Sequence, residues 1–141
     1  AFLGIYVKLW RDNVLNDTDR EWLGKSGEMF AGNKDNMPPV GKYNAGQKLV
    51  FWSMAISLVV LTATGILFWH AWFPDLPILA RRVGVVLHAL SAVVLVIGII
   101  VHVYAAIWVK GTLRAMMRGN VSAAWAKHHH PGWYREVTGG K

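Results

Sequence analysis

The sequence contains no cysteine, and only 16% of its residues are charged. The absence of cysteine excludes disulfides, zinc sites with Cys ligands and iron–sulfur clusters held within this chain. Soluble domains carry roughly 25% charged residues, so the low charge content argues against an ordinary soluble domain. Any metal site in this chain must therefore use His, carboxylate or Met ligands.

Two apolar stretches are long enough to cross a membrane, and neither contains Asp or Glu. The first, residues 48–72, includes 21 uncharged residues from Leu49 to Trp69, which would span roughly 30 Å as a helix. Aromatic residues lie near both of its ends, as in an interfacial belt. The second stretch, residues 83–109, carries three ionisable side chains: His88, His102 and Tyr104. We predict an all-α, integral membrane helical bundle.

The remaining residues divide into four shorter segments. They are the expected end of a truncated transmembrane helix (1–10), a polar loop (11–47), a short connection (73–82) and a basic tail (110–141). Within the loop, a short helix is predicted near residues 17–30, with Asp17 or Thr18 as its N-cap.

The distribution of Lys and Arg predicts the orientation of the two spans. The net charge is +7, and six Lys or Arg residues lie in residues 11–48 and six more in the tail. The connection between the spans carries only Arg81 and Arg82. Positively charged segments remain in the cytoplasm, so we expect the loop and the tail there and the connection in the periplasm. This basic charge therefore needs no nucleic-acid partner, and it suits contact with anionic membrane lipid.

His88 and His102 are the candidate metal ligands. They are 14 residues apart, so on one helix they lie within about 40° of the same face and about 21 Å apart along the axis. Ionisable residues inside a membrane indicate function, and neutral imidazole is a good ligand for iron. The pair therefore favours two haems, one toward each side of the membrane. Small residues on this face, including Gly84 and Gly98, would leave room for porphyrin or for close helix packing.

Two other interpretations of the histidine pair stay open. The chain could be a haem-free membrane anchor in which His88 and His102 only form hydrogen bonds between helices. A proton pathway is less favoured, because it would normally include buried carboxylates. A haem iron with two axial ligands also needs a second donor. The uncharged run from Leu49 to Trp69 offers only Met54, and His70 lies beyond it at the outer end of the span. We expect the second ligands to come from outside this chain.

Three motifs and the two histidines closely resemble the gamma subunit of respiratory formate dehydrogenase, its membrane cytochrome b subunit. The motifs are Gly41-Lys-Tyr-Asn-Ala-Gly-Gln-Lys48, His102-Val-Tyr-Ala-Ala-Ile-Trp-Val-Lys-Gly111 and Lys127-His-His-His-Pro-Gly-Trp-Tyr-Arg-Glu136. The resemblance covers nearly the whole chain from about Gly41 onward. The cytochrome b of a hydrogenase or thiosulfate reductase is a related alternative, which the first motif disfavours.

The resemblance implies four transmembrane helices and two b haems, of which this chain would supply the second half. It implies that His88 ligates the outer haem and His102 the inner one, with partner ligands on helices absent here. A periplasmic molybdenum or tungsten catalytic subunit would oxidise formate, and an iron–sulfur subunit would pass on the electrons. The inner haem would reduce menaquinone or ubiquinone in the bacterial inner membrane. Trimers of the whole complex occur in the family.

The resemblance also implies a quinone site formed by Asn44, Gly46, Gln47 and His102. Asn and Gln amides can donate hydrogen bonds to a quinone carbonyl, although Asn44 and Gln47 suit helix capping equally well. The motif favours the quinone site. The run His128–His130 is interpreted as part of a solvated tail or a subunit contact, since three adjacent His cannot face one ion on a helix. His70 is interpreted as an interfacial residue.

Overall fold

The protein is described here from a computed structural model that covers residues 2–27, 37–69 and 72–139. These residues form α-helices joined by turns, loops and one short 3-10 segment, Arg11–Asn13. The predicted all-α class is confirmed. The helices are α1 (Phe2–Leu9), α2 (Asp17–Gly24), α3 (Ala45–Leu67), α4 (Ile78–Trp108), α5 (Thr112–Arg118), α6 (Ala123–His129) and α7 (Pro131–Thr138).

Helices α3 and α4 are the two candidate membrane spans, and both are long and apolar enough to cross a bilayer. Helix α3 has 23 residues and α4 has 31, or roughly 35 and 46 Å at the usual rise per residue. Most of their large apolar side chains are exposed in this chain. That distribution suits a lipid environment or contact with further helices rather than a soluble core.

The two long helices begin earlier than the charge pattern indicated. Helix α3 starts at Ala45 because Asn44 caps it: the Gln47 N–H donates to Asn44 Oδ1 over 2.9 Å, and the Asn44 N–H donates to Gln47 Oε1 over 2.9 Å. Helix α4 starts directly after Pro77, and proline is favoured at the start of a helix. Arg81 and Arg82 therefore lie in the first turns of α4 rather than in the connection.

The chain divides into two compact units. The hairpin unit comprises residues 50–104, with most of α3 and α4. The loop-and-tail unit comprises residues 1–49 and 105–141.

In the hairpin unit, α3 and α4 pack antiparallel through small residues. A Cβ atom on Gly84 would lie 2.9 Å from the Phe68 ring, and one on Gly98 would lie 3.3 Å from Met54 Cγ. Between these two contacts, Thr64 meets His88. As the residue number falls along α3 it rises by the same amount along α4, so a single register describes all three contacts.

In the loop-and-tail unit, the tail is attached to the segment before α3. The Gly132 N–H donates to the Val40 carbonyl over 3.0 Å, and His130 Nδ1 lies 2.9 Å from the Gly41 carbonyl. A Cβ atom on Gly132 would be only 2.7 Å from Val40 O, so glycine permits this approach of two backbones. His130 and the first turn of α7 are therefore held against residues 40 and 41.

In the same unit, α2 is capped by Asn16 and not by Asp17 or Thr18 as predicted. The Asp19 N–H donates to Asn16 Oδ1 over 3.0 Å, and the Asn16 N–H donates to Asp19 Oδ2 over 2.8 Å. Asn, Asp and Thr are all good N-caps, so composition alone could not choose among the three.

Candidate functional site

His88 faces α3 close to the turn of the hairpin, and one of its ring nitrogens is held in place. Its Nδ1 atom is 2.8 Å from Thr64 Oγ1 on α3. The Phe68 ring lies at 5.8 Å between centroids, tilted by 54° to the imidazole. Nε2 forms no hydrogen bond with the residues that the structure describes. This nitrogen is therefore available to a metal.

The partners of Thr64 determine the tautomer of His88. The Thr64 hydroxyl lies 2.6 Å from the Val60 carbonyl, and a carbonyl can only accept a hydrogen bond. The single hydroxyl proton is therefore donated to Val60, and Oγ1 accepts from Nδ1–H of His88. A neutral imidazole protonated at Nδ1 has its lone pair on Nε2, the form that ligates iron.

His102 lies on the same continuous helix, which supports the predicted spacing of about 21 Å along the axis. Its side chain is exposed and has no hydrogen-bond partner among the described residues. It is therefore unobstructed in this chain, although its ring is not oriented as that of His88 is. Both histidines fit the predicted role of haem ligands.

The glycines on the histidine face serve helix packing in this chain. Gly84 contacts Phe68, and Gly98 contacts Met54, so the space beside each glycine is filled by α3. Of the two interpretations given to these small residues, the structure supports close helix packing. Met54, the candidate donor between Leu49 and Trp69, packs at the level of Gly98 and not of His88.

Asn44 and Gln47 occur as a reciprocal helix cap, which fixes the orientation of both amides. Each side-chain oxygen accepts a backbone N–H of the other residue over 2.9 Å. The oxygen and nitrogen of an amide are therefore assigned by these partners. Both NH₂ groups lack a hydrogen-bond partner among the described residues and remain available as donors. The cap and the predicted quinone contact are thus compatible.

Gly46, the third predicted quinone residue, is covered on one side by Trp22. A Cβ atom on Gly46 would lie 3.4 Å from the Trp22 ring and 3.4 Å from Asn44 Oδ1. The small residue therefore lets α2 pack against the start of α3. Trp22 is buried, and sequence reasoning did not identify it as part of this segment.

A buried ion pair adjoins the Asn44–Gln47 cap. Lys48 Nζ lies 2.7 Å from Asp19 Oδ2 and 3.0 Å from the Val14 carbonyl, and both charged side chains are only 6% exposed. Buried charges are stable only when paired. Lys48 was predicted only as a positive charge at the membrane surface, because its acidic partner is 29 residues away in sequence.

A second ion pair in this unit is exposed. Lys42 pairs with Asp12, and both residues line a polar cavity of about 290 Å³ that Asp19, Lys48 and Glu136 also line. The hydrogen bond to the Asp12 carboxylate raises the pKa of Lys42, against a smaller lowering by burial. A raised lysine pKa contributes stability below the unfolded value of about 10.4, and this contribution is lost as the pH rises above the folded pKa.

The three consecutive histidines of the tail have different surroundings: His128 is exposed, whereas His130 is buried. Within the described ranges, no group of three or more His, Cys, Asp or Glu side chains is placed to hold an ion. His130 is buried, in contrast to the predicted solvated tail, and its ring lies 5.4 Å from that of Trp125. The ring of His129 also lies close to that of Trp125, at 4.7 Å between centroids and tilted by 34°. His70 lies outside the described residues.

A family model described as prokaryotic cytochrome b561 matches residues 1–119. The chain belongs to this family. Cytochromes of this kind are membrane proteins that bind b-type haem and carry electrons. This chain has two helices long enough to cross a membrane, and His88 and His102 both lie on the second of them.

The similar proteins include two formate dehydrogenase cytochrome b556 subunits of Escherichia coli. The chain is 39% identical to the nitrate-inducible subunit and 43% identical to the fdo subunit, each over 138 residues. It is 40% identical over 139 residues to the formate dehydrogenase cytochrome b556 subunit of Haemophilus influenzae. These matches cover 96–97% of this chain but only 58–64% of the relatives. They confirm the resemblance on which the sequence interpretation depended.

Proposed function

We propose that this chain is the haem-binding membrane subunit of a formate dehydrogenase complex, and that it delivers electrons to a membrane quinone. The observation that carries this proposal is the state of His88, whose Nδ1 is bonded to Thr64 while Nε2 is free. An imidazole held in this way in an apolar helix pair is prepared for iron. The similarity to formate dehydrogenase subunits supplies the electron donor and its substrate.

In this proposal, His88 and His102 each hold one b haem through Nε2, and the second axial ligands lie outside this chain. Bound haem supplies a one-electron carrier, since its iron alternates between the ferric and ferrous states. The 14-residue spacing on α4 places the two ligands about 21 Å apart along the helix, so the chain itself sets the separation of the two sites along the membrane normal.

The quinone contacts proposed in this chain are Asn44 and Gln47, with Gly46 between them. Reduction of a quinone builds negative charge on its carbonyl oxygens, and the free NH₂ groups of the two amides can donate to them. The capping hydrogen bonds hold both amides in fixed positions, so donation to quinone would require no reorganisation. His102, which the resemblance adds to this site, belongs to the other unit and stays a prediction.

The orientation proposed from charge places the loop-and-tail unit on the cytoplasmic side of the bacterial inner membrane. His88 then ligates the haem nearer the periplasm, beside an iron–sulfur subunit and a molybdenum or tungsten catalytic subunit. Anionic lipid is the partner proposed for Lys110, Arg114 and Arg118, which recur every four residues from the end of α4 onward. A trimer of the complex remains an expectation from the resemblance.

This proposal is tested by adding formate and then quinone to the purified complex. We expect formate to reduce the b haems, as seen by their α-band absorbance, and an added quinone to reoxidise them. The control is the same preparation with a specific inhibitor of the catalytic subunit, in which dithionite but not formate should reduce the haems. If formate leaves dithionite-reducible haem oxidised in an active, intact complex, the proposed electron path is wrong.

Substitutions of Asn44 and Gln47 can distinguish their role as helix caps from their proposed role as quinone contacts. Gln47→Glu keeps an oxygen that accepts the capping N–H but has no donor. Asn44→Ser also keeps an accepting oxygen and replaces the NH₂ group by a shorter hydroxyl that does not extend as far toward the quinone. We expect each variant to slow haem reoxidation by quinone by about tenfold, the effect of one net hydrogen bond, with formate-driven haem reduction unchanged.

Asn16→Ser is the matched control, because Asn16 forms the same reciprocal cap at the start of α2. Its reoxidation rate should equal that of the unmodified complex. Equal rates in Asn44→Ser, Gln47→Glu and the control would show that the α3 amides serve only as helix caps.

A further inference from the structure

We propose that Thr64 is a positioning residue for the haem ligated by His88: it fixes the ring tautomer and strengthens the Nε2 donor. This inference rests on the proposed role of His88 as an axial ligand. It assigns a function to a side chain of α3, the span that supplies no ligand of its own.

The hydroxyl of Thr64 has three neighbours within hydrogen-bond distance: the carbonyl of Val60, the carbonyl of Leu61 at 3.3 Å, and the His88 ring. It donates to the Val60 carbonyl over 2.6 Å and accepts from His88 Nδ1 over 2.8 Å. Thr64 is only 6% exposed, in a helix pair made mostly of apolar residues. A buried hydroxyl or imidazole N–H without a partner is costly, so these two groups satisfy each other.

The Val60 carbonyl makes the arrangement directional. A lone hydroxyl rotates freely and could donate to His88 or accept from it. Because its proton is directed to Val60, an oxygen lone pair is left for the imidazole. The backbone of α3 thus determines which ring nitrogen of His88 carries hydrogen. Phe68 packs against the same imidazole at 5.8 Å and further limits its rotation.

The second histidine has no equivalent partner on α3. The register that pairs Thr64 with His88 also pairs Phe68 with Gly84 and Met54 with Gly98. Extended fourteen residues further along α4, this register would bring Val50 to the level of His102, whose ring is exposed and forms no hydrogen bond with the described residues. The valine side chain has no hydrogen-bonding group. Helix α3 therefore orients the ring of His88 but not that of His102.

An acceptor on Nδ1–H makes the other ring nitrogen a stronger donor. A stronger donor favours ferric over ferrous iron, which lowers the midpoint potential of that haem. Thr64 therefore contributes a lowered potential and a fixed ligand orientation at His88, with no counterpart from α3 at His102.

The test uses Thr64→Val in the intact complex, with Thr64→Ser as the conservative variant. Valine has the shape of threonine but cannot accept from Nδ1–H. We expect haem retention at His88 to weaken by about tenfold or more, as for other outer-shell substitutions, and the potential of that haem to rise. A tenfold change in the ferric-to-ferrous binding ratio corresponds to about 59 mV for one electron. Thr64→Ser keeps the hydroxyl and should leave both haem retention and the midpoint potential close to those of the unmodified complex.

Thr62→Val is the matched control. Thr62 also donates to the carbonyl four residues before it, Leu58, over 2.7 Å, but it is exposed and forms no hydrogen bond with a histidine that the structure describes. Potentiometric titration followed by optical and low-temperature EPR spectra should show shifted potential and g values for one haem in Thr64→Val only. The other haem should be unchanged in every variant.

Thr64→Ala is the second variant, since alanine is the best helix former and also lacks the hydroxyl. Unchanged potential, g values and retention in Thr64→Val or Thr64→Ala would overturn the role of Thr64. An equal shift in Thr62→Val would overturn it as well, because the cause would be the helix and not the histidine. By contrast, an unmodified complex without b haem would refute the proposed function itself.

Discussion

Replacement of His88 by Ala is expected to remove one b-type haem from the complex, and replacement of His102 the other. Each substitution deletes an imidazole that no other described side chain of its helix can replace. The haem content should fall from two per chain to one in each single variant and to none in the double variant. A pyridine haemochrome assay, normalised to intact complex, measures this directly.

The two single variants should also differ in the step at which electron transfer is blocked. With His88→Ala, formate should no longer reduce the remaining haem at its normal rate, because the outer carrier is missing. With His102→Ala, formate should still reduce the remaining haem, and quinone should fail to reoxidise it. His128→Ala is the control, since His128 is exposed on α6. Full haem content in both single variants would rule out these residues as ligands.

Replacement of Lys48 by Met is expected to destabilise the loop-and-tail unit strongly. Methionine keeps the apolar stem but leaves the Asp19 carboxylate buried without its cation. Breaking a buried pair in this way costs about 3–5 kcal/mol, equivalent to hydrogen exchange faster by about two to four powers of ten. Hydrogen-exchange mass spectrometry of the complex should show this acceleration in α2 and the first turn of α3.

Two further variants identify the cause of that effect. The double variant Asp19→Asn/Lys48→Met removes both charges and keeps an oxygen that accepts the Asn16 N–H, so it should recover most of the protection. Asp12→Ala breaks the exposed pair with Lys42, and exposed pairs contribute about 0–1 kcal/mol. If Lys48→Met and Asp12→Ala accelerated hydrogen exchange equally, burial of the Asp19 charge would not be the cause of the destabilisation.

The sequence was sufficient to predict the two long helices and that both candidate ligands, His88 and His102, lie on one of them. Apolar stretches of this length form helices because the backbone must satisfy its own hydrogen bonds in lipid. The spacing of His88 and His102 then follows from helix geometry alone. The exact helix starts were less predictable: α3 begins at a cap and α4 after a proline, and in both cases polar residues belong to the helix.

Contacts between distant residues could not be predicted in the same way. The bond from Thr64 to His88 depends on the register of two helices, which hydrophobicity alone leaves undefined. The Lys48–Asp19 pair depends on how a loop of almost 30 residues returns to α3. The same holds for Gly84 and Gly98, whose packing role needed the position of α3. Sequence patterns located the candidate ligands, and the structure supplied the groups that orient one of them.

The central claim is that this chain holds two b haems through α4, and the most direct test is the haem content of the unmodified complex. A dithionite-reduced minus oxidised spectrum, combined with a pyridine haemochrome count, should give two b-type haems for each copy of this chain. A complex with all partner subunits present and no b-type absorbance would contradict the account and leave the chain as a membrane anchor.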